Sequence, residues 1–476
     1  MNSTRLRHIE NALNNFNFMS PLDIYMRLYF KSNNIKNRDK PYISEHVYNI
    51  IKNKTLLAYL SSPISLYTNI IKTYFTSDKW KYEMNNEKIP AHVRYSFPKE
   101  LYDQLKNCYG EKRSITLMSI LNEKAPIFLR VNSYKISRNE LYKILISRGI
   151  SVEKCVNSAQ GLLLTKNEIL KNIHEYKKGY FEIQDEASQI VSSKIPVQPG
   201  HKVLDYCAGS GGKALAFSVF MENTGKIYLH DIRDRMLSQA KIRLRRAGVQ
   251  NYILLNSNHI LLNKLYGYMD TVIVDVPCTG TGALRRNPEM KYKFTNDKLY
   301  EYVHLQRQIF EKALVYLKKN GKIVYITCSI LDAENVHQAK YFCQKHNLYL
   351  SEQPFHSLPQ SKSMDGFFLA IFERKEGNGY RVGQLLVQVS PISPVASVSH
   401  NVAHSPPFGD FKQGDVNEPY FLHVRTECMQ SFFLPDHFYA TLLLFNFVPV
   451  VSWQVEDQPF DKKEDVELNN FFHGGI

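Results

Sequence analysis

A regular alternation of strand-like and helix-like segments after residue 179 is the feature that most restricts the fold. The strand-like segments lie at 201–206, 226–232, 251–255, 270–277, 322–329 and 367–374, and the helix-like ones at 214–221, 234–247 and 299–317. The segment 270–277 is a continuous apolar run, which is typical of a parallel strand covered on both faces. This order predicts an α/β fold, a doubly wound and mostly parallel sheet.

The residues on either side of the alternating region have other textures. Residues 1–110 carry apolar side chains at helical spacing and predict an N-terminal helical domain. Residues 111–178 combine a strand-like segment with an amphipathic helix, which predicts a small α+β unit. The α/β domain then occupies 179–375. From 376 to 476 a Ser- and Pro-rich stretch with little charge indicates a flexible C-terminal appendage.

The charge of the chain is uneven. The whole chain has 60 Lys and Arg against 45 Asp and Glu, a net charge of +15. Residues 377–476 hold 5 basic and 11 acidic side chains, a net of −6, so the preceding residues carry +21. A region with so high a positive charge favours a polyanionic partner, most often nucleic acid.

The cysteine pattern indicates a protein of a reducing compartment, and the hydropathy pattern indicates neither a signal peptide nor a membrane span. Seven cysteines at irregular spacing, with no CxxC pair, argue against a disulfide scaffold and a structural zinc site. The N-terminus has no apolar core of signal-peptide length, and the longest apolar run, 438–453, is interrupted by Asn446 and Pro449. We therefore expect a cytoplasmic monomer with no metal and no membrane contact.

A glycine-rich turn follows the first strand of the alternating region. The segment 205–213 reads DYCAGSGGK, and glycines at this place let the backbone approach a ligand closely. Asp231 ends the next strand, where an acid binds ribose hydroxyls. The turn lacks a strict GxGxxG, so a dinucleotide is disfavoured. The acid Asp205 before the glycines favours S-adenosylmethionine, which has an amino-acid part.

Two cysteines end neighbouring strands of the predicted sheet, Cys278 after Asp275 and Cys328 after Thr327. In an open α/β sheet the active crevice lies outside the carboxyl ends of the strands. One reaction gives a reason for two thiols in one crevice, the methylation of cytosine at carbon 5. This carbon is too weak a nucleophile to take a methyl group directly, and a thiolate that adds at carbon 6 activates it. An acid near ring nitrogen 3 stabilises that adduct, and a second thiol can assist its release.

These motifs closely resemble those of the RsmB/Nop family of S-adenosylmethionine-dependent RNA cytosine-C5 methyltransferases, and most of all its bacterial 16S ribosomal RNA members. The matching segments are DYCAGSGGK (205–213), DVPCTGTG (275–282) and YITCSI (325–330), supported by 125–132, 181–189 and 365–375. The resemblance is strong over 125–375, weaker over 1–110, and absent from the appendage. It implies a Rossmann-like class I methyltransferase fold with RNA-binding roles for the helical domain and the small α+β unit.

The resemblance also implies roles for single residues. Cys328 would be the nucleophile and Cys278 the thiol that helps release, while Asp275 would contact the cytosine ring and Lys213 would line the same pocket. The cofactor-binding residues would be Cys207, Ala208, Gly209, Ser210, Gly211, Gly212, Lys213, Asp231, Asn258 and Asp275. Many family members carry an aspartate near the adenine where this chain has Asn-Ser-Asn at 256–258. The amide oxygen of Asn258 can still accept a hydrogen bond from the adenine amino group.

Three arginines are candidates for RNA contact. Arg285 and Arg286 follow the Pro-Cys motif, and Arg130 lies in the strand-like segment APIFLRVN. A solvated basic loop is the alternative for the first two, and a structural salt bridge is the alternative for Arg130. The target base must leave its stack to reach the crevice, so a single-stranded or easily opened loop is the expected substrate.

Other functions remain open at this point. The same chemistry on transfer RNA is the nearest alternative to 16S ribosomal RNA. A DNA cytosine methyltransferase would use the Pro-Cys cysteine as its nucleophile together with a Glu-Asn-Val motif, and Cys328 would then have no role. We expect no such motif in this chain. A non-catalytic RNA-binding ribosome assembly factor could retain the fold, but it would not need both Cys328 and Asp275.

Overall fold

The computed structural model of the chain describes residues 3–61, 66–166, 168 and 170–374. The predicted appendage at 376–476 lies outside the described residues, so its expected flexibility stays a prediction.

The N-terminal region is helical, as its apolar spacing predicts. Its helices are α1 (Ser3–Asn15), α2 (Leu22–Ser32), α3 (Lys40–Lys52), α4 (Lys54–Leu60), α5 (Tyr67–Thr76), α6 (Lys79–Tyr82) and α7 (Ala91–Arg94). Pro21 immediately precedes α2 and Pro90 immediately precedes α7, positions at which the missing N–H costs no helical hydrogen bond. Ile9, Val47 and Leu57 are completely buried between these helices and form the centre of a separate apolar core.

Two further helices, α8 (Lys99–Tyr109) and α9 (Glu111–Asn122), connect the helical region to the rest of the chain. Gly110 turns the chain between them at a φ of +73°, a conformation that glycine adopts without strain. Leu105 and Leu117 pack with Leu284 and Ile330, which lie next to the two predicted cysteine motifs. The helix pair is therefore one wall of the region that contains the predicted site.

A four-stranded antiparallel sheet follows. Its elements are β1 (Ile127–Val131), α10 (Arg138–Ser147), β2 (Val152–Lys154), β3 (Gly161–Leu164), α11 (His174–Lys177) and β4 (Phe181–Ile183), with strand order β2-β3-β1-β4. Ser137 and Glu140 form a reciprocal capping box that starts α10. Because β4 pairs with β1, the sheet continues past the boundary expected at residue 178. This pairing favours a domain boundary just after Ile183.

The large sheet is the doubly wound sheet that the alternation predicts. Its elements are α12 (Glu186–Ser193), β5 (Lys202–Asp205), α13 (Gly212–Phe217), β6 (Lys226–His230), α14 (Asp234–Ala247), β7 (Tyr252–Leu255), β8 (Met269–Asp275), α15 (Asn296–Leu314), β9 (Leu317–Thr327), α16 (Val336–Lys345), β10 (Leu348–Leu350), β11 (Phe355–Ser357) and β12 (Phe367–Arg374). The order is β10-β12-β9-β8-β5-β6-β7, with β11 paired to β12. Strands β7, β6, β5, β8 and β9 run parallel, and β12 is antiparallel to β9. The Rossmann-like class I methyltransferase fold is confirmed.

Side chains of the central strands alternate between two apolar layers. In β9, Ile323 and Tyr325 pack on the side of Phe310 from α15, whereas Val324 and Ile326 pack on the opposite side. This alternation is the two-residue period of a strand. Both faces of the sheet are thus covered, and its polar strand ends are left to form a site.

The end of α15 differs from the sequence-based expectation. The predicted helix extended to residue 317, with Gly321 as its stop, but α15 ends at Leu314 and β9 already begins at Leu317. Gly321 lies inside the strand, where a Cβ atom would come within 2.9 Å of the Met269 carbonyl oxygen. The glycine therefore permits a close approach to β8 instead of ending the helix.

A short 3-10 helix at Pro288–Lys293 joins the helical region to the α/β domain. Glu289 accepts a hydrogen bond from the backbone N–H of Leu22, the first residue of α2, at 3.2 Å. Lys291 Nζ donates to the carbonyl oxygen of Lys52 at 2.7 Å, at the last residue of α3. An acid at a helix start and a basic side chain at a helix end both complement the helix dipole. We call Pro288–Lys293 the interdomain anchor.

Candidate active site

The carboxyl ends of four neighbouring parallel strands converge on one edge of the large sheet. Asp205 ends β5, Asp275 ends β8 and Thr327 ends β9, while Asp231 directly follows β6. Because all four strands run in one direction, these groups lie on the same edge. The structure brings the three predicted motifs together there.

The glycine-rich turn has the geometry of a ligand cradle. Gly209 and Gly211 have φ values of +52° and +76°, which side-chain-bearing residues rarely adopt. A Cβ atom on Gly209 would meet nothing within 4 Å, so the space above it is open. A Cβ atom on Gly211 would lie 3.2 Å from the Cβ of Ala240, so the turn packs closely on α14.

Two buried acids lie beside this turn. Asp231 accepts a hydrogen bond from the Gly209 N–H at 2.8 Å. It also forms an ion pair with Arg233, whose Nε lies 3.0 Å from the carboxylate. Asp205 is 1% exposed, and burial, with a smaller contribution from the negative charge of Asp275, raises its pKa to about 8. Its Oδ1 atom has no hydrogen-bond partner within the described part of the chain. A buried carboxyl oxygen without a partner can form a hydrogen bond with a ligand.

Lys213 and Asp275 connect the cradle to the Pro-Cys motif. The Lys213 ammonium, almost buried, forms an ion pair with the Asp275 carboxylate. The Asp275 side chain keeps about a third of its surface exposed, at 32%. This carboxylate can therefore contact a substrate while its partner fixes its orientation.

The two cysteines of the predicted site are in direct contact. The Sγ atoms of Cys278 and Cys328 lie 3.4 Å apart. Cys278 is 4% exposed, whereas Cys328 is half-buried. The hydrogen bond that the Cys278 thiol makes to Cys328, together with burial, holds the pKa of Cys278 well above its usual range. Cys278 is thus kept as a protonated thiol, and Cys328 is the more accessible of the two.

Polar residues behind the cysteines were not predicted from the sequence. Glu334 and Asn335, in the turn before α16, and Gln306 in α15 are completely buried and bind the backbone beside the cysteines. The expectation that the chain has no Glu-Asn-Val motif is wrong, because this tripeptide lies at 334–336, shortly after Cys328, and it is the sequence signal for these residues. The hydrogen bonds of Glu334 go to Thr279 and Gln306, so it does not act here as the base-contacting acid of a DNA methyltransferase.

The RNA-contact predictions for the arginines need correction. Arg285 is 2% exposed, and its guanidinium forms an ion pair with Asp365 and donates to two backbone carbonyls. Arg286 is more exposed but pairs with Asp365 and Asp185 and donates to the Pro126 carbonyl at 3.1 Å. The Arg285 bonds thus lie within the α/β domain, and the Arg286 bond to Pro126 joins that domain to the segment just before β1.

Arg130 is also an internal residue. It is 4% exposed and donates to Gln184 and to the Gly212 carbonyl at 3.1 Å. Burial lowers its pKa to about 10. The side chain therefore supports the glycine-rich turn from below. Its hydrogen bonds within the described residues go to neutral groups and not to the partner of a structural salt bridge.

The remaining predicted cofactor residue, Asn258, lies in an exposed turn after β7, at the same sheet edge as Asp231. Its contact with an adenine stays a prediction. None of the helices in the described ranges has the length and hydropathy to cross a bilayer. Among those same residues there is also no group of three or more acids, histidines and cysteines able to hold a metal ion.

Comparisons with known proteins agree with this geometry. Residues 194–373 match the family model described as 16S rRNA methyltransferase RsmB/F, and residues 97–169 match the ferredoxin-like domain of RsmF/B-like methyltransferases. A probable ribosomal RNA small subunit methyltransferase B of Synechocystis is 27% identical over 311 residues, which cover 61% of this chain and 70% of the relative.

Two further matches extend the comparison. The human 28S rRNA (cytosine(4447)-C(5))-methyltransferase is 27% identical over 320 residues, which cover 61% of this chain but only 39% of that protein. The crystal structure of a methyltransferase homolog from Pyrococcus horikoshii superposes with a TM-score of 0.53 at 26% identity, covering 60% of this chain and 97% of that one. The two family models together span more than half of the chain, which belongs to the RsmB/Nop family of RNA methyltransferases.

Proposed function

We propose that this protein transfers a methyl group from S-adenosylmethionine to carbon 5 of a cytosine in RNA, through a covalent adduct with Cys328. The observation that carries the proposal is the pair of cysteine sulfurs 3.4 Å apart at the ends of adjacent strands. The relatives named as ribosomal RNA and cytosine-C5 methyltransferases support the same activity.

The cradle fits S-adenosylmethionine. The open space above Gly209 leaves room for the methionine part, and the Asp231 carboxylate is suited to the ribose hydroxyls. The orphaned oxygen of Asp205 is a further polar group that a ligand at this edge could use. When bound, the cofactor supplies an electrophilic methyl group.

Cys328 is the better nucleophile of the pair because it is the more accessible thiol. Its thiolate forms a bond to carbon 6 of the cytosine, and the electron pair of the 5,6 double bond moves so that carbon 5 can take the methyl group. Loss of the proton from carbon 5 to water then restores the double bond, as the bond between sulfur and carbon 6 breaks and its electron pair returns to the Cys328 sulfur. Asp275, oriented by Lys213, contacts the ring and stabilises the adduct.

Cys278 assists the last step. Its sulfur is within hydrogen-bond distance of Cys328, so its protonated thiol can stabilise the departing Cys328 thiolate. The same contact explains why two thiols are needed at one site.

The preferred substrate in this proposal is ribosomal RNA of the small subunit, and transfer RNA is the alternative. The net charge of +21 before residue 377 supports a polyanionic partner. The helical domain and the small sheet are part of the same proposal as RNA-binding units, in a monomeric protein that acts in the cytoplasm.

Methyl transfer to RNA tests the proposal. The full chain is incubated with S-adenosylmethionine labelled in its methyl group and with total RNA from cells that lack the gene. Label in the small-subunit ribosomal RNA fraction, at a cytosine that bisulfite sequencing identifies, is the expected result. An absence of label in all RNA fractions would exclude the activity, and label confined to transfer RNA would change the substrate.

A further inference from the structure

The neighbouring residues Glu334 and Asn335 reach different cysteine motifs. Both lie in the turn between β9 and α16, and both are completely buried. The Glu334 side chain points to the segment around Cys278, and the Asn335 side chain to the segment around Cys328.

The backbone on both sides of Cys278 is held by two side chains. Glu334 Oε1 accepts a hydrogen bond from the Thr279 N–H at 2.9 Å, and its other oxygen accepts one from the Thr279 hydroxyl. Gln306 Nε2 donates to the Pro277 carbonyl at 3.0 Å and to Glu334 Oε1 at 2.9 Å. Glu334 and Gln306 together thus fix the peptide before Cys278 and the peptide after it.

Asn335 does the same for Cys328 with one side chain. Its Nδ2 donates to the Ser329 carbonyl at 2.9 Å, and its Oδ1 accepts from the Thr327 hydroxyl at 2.6 Å. The residues before and after Cys328 are therefore both bound to one amide.

The chemistry of Glu334 is unusual for a packing residue. Its hydrogen-bonding neighbours, Thr279 and Gln306 and also the Ser329 hydroxyl, are neutral, and no ion pair reaches it within the described residues. A carboxyl group buried in this way costs more than an apolar side chain of similar volume. A cost of this kind indicates that the position serves the neighbouring thiol.

We propose that Glu334 is a positioning residue for Cys278 and Asn335 a positioning residue for Cys328, so that this dipeptide sets the contact between the two sulfurs and keeps their roles separate. The inference rests on the proposed function, since it assigns each positioning residue to one step: Asn335 to formation of the adduct and Glu334 to its release.

The test uses the full chain and separates the two steps. Glu334→Ala, Glu334→Gln and Asn335→Ala are compared with wild type using labelled S-adenosylmethionine and unmodified small-subunit ribosomal RNA. Two quantities are measured, the methyl-transfer rate in a single turnover and the fraction of protein in an RNA adduct that survives denaturing electrophoresis. Cofactor binding reports whether each variant is folded.

The expected effects of the two alanine variants are opposite. Glu334→Ala should accumulate adduct, about tenfold above wild type, because release is impaired. Asn335→Ala should form less adduct than wild type and transfer methyl groups more slowly. Glu334→Gln keeps an oxygen acceptor for the Thr279 N–H, so its adduct fraction should lie between those of wild type and Glu334→Ala. In a Cys278→Ala background, Glu334→Ala should add nothing.

The outcomes distinguish the two levels of inference. If wild type transfers no methyl group to RNA, the proposed function fails and this inference falls with it. If wild type is active but both alanine variants lose adduct and transfer in parallel, the separate positioning roles are overturned. If Glu334→Ala does not fold, Glu334→Gln decides: adduct above the wild-type level supports the role, and a wild-type level overturns it.

Discussion

The sulfur atoms of Cys278 and Cys328 lie 3.4 Å apart, although 50 residues separate them in the chain. Two thiols this close can exchange a proton, yet their surroundings differ. Cys278 is almost fully enclosed, while Cys328 is half-buried. This asymmetry leads to distinct expectations for the two cysteines.

Replacement of Cys328 by alanine should reduce methyl transfer to the level of a protein-free control, because carbon 6 then has no nucleophile. S-adenosylmethionine binding, measured by calorimetry, should be unchanged, since the cradle is formed by residues on β5 and β6. Near-normal turnover by this variant would show that another group attacks the base.

Replacement of Cys278 by alanine should leave adduct formation possible but slow its release. The expected observation is a protein–RNA species that persists in denaturing electrophoresis and contains methylated cytosine. If that species is found with Cys328→Ala instead, the assignment of nucleophile and release thiol must be exchanged.

Asp205 should make the stability of the fold depend on pH. Its pKa is raised to about 8 in the folded chain, against about 3.9 when unfolded, so the folded state binds more protons between these values. Its contribution to stability is present below pH 4 and is lost as the pH rises toward 8. Asp205→Asn should therefore gain stability relative to wild type from pH 5 to pH 8, by at most about 1.4 kcal/mol per pH unit.

Urea unfolding of both proteins at several pH values measures this difference. A constant offset between Asp205→Asn and wild type over the whole range would contradict the raised pKa.

Gly282 should not tolerate a side chain. A Cβ atom there would lie 2.2 Å from the Gly366 carbonyl oxygen, and the Gly282 N–H donates to the Cys328 carbonyl at 2.9 Å. Gly282→Ala must displace backbone beside Cys328, so we expect a loss of about 1–3 kcal/mol in stability and a large loss of activity.

Gly280→Ala is the matched control in the same turn. Gly280 has a φ of +66° but open space around its Cβ position, so the variant carries backbone strain without a collision. Thermal unfolding and methyl transfer should both be less affected than in Gly282→Ala. Equal effects would mean that the contact with Gly366 is unimportant.

RNA affinity should reside in the first 376 residues of the chain. This part carries a net charge of +21 and the remainder −6, and phosphate contacts dominate affinity through counterion release. A chain that ends at Lys375 should bind RNA at least as tightly as the full chain, lose affinity steeply with salt, and keep methyl transfer. Filter binding at several salt concentrations measures this; loss of cofactor binding would instead give residues 376–476 a structural role.

Sequence patterns predicted the parts of the structure that depend on local order. Strands ending in Asp205, Asp275 and Thr327 could be read from apolar runs followed by glycine or cysteine, and parallel strands place such ends on one edge. The roles of Arg285 and Arg130 could not be read in this way. Asp365, the partner of Arg285, lies 80 residues away, and nothing in the local sequence indicates that pairing.

Contacts between residues distant in the chain also determine the small sheet and the positions of Glu334 and Asn335, and local sequence does not indicate them. Strand β4 pairs with β1 across about 50 residues, and the local sequence around residue 178 does not indicate this pairing. Glu334 and Asn335 are polar residues at the start of a helix, a position that usually indicates capping. Only the folded chain shows that their side chains turn inward to the two cysteines.

The interdomain anchor has a consequence for how such a protein can change. Cys278 and Lys291 belong to one short stretch of chain, and one acceptor of Lys291 is the end of a helix in the N-terminal region. Exchanging those helices for another module would leave the buried ammonium group with one of its two acceptors, the Asn122 side chain at 2.9 Å. We therefore expect the N-terminal helices and the loop that carries Cys278 to change together.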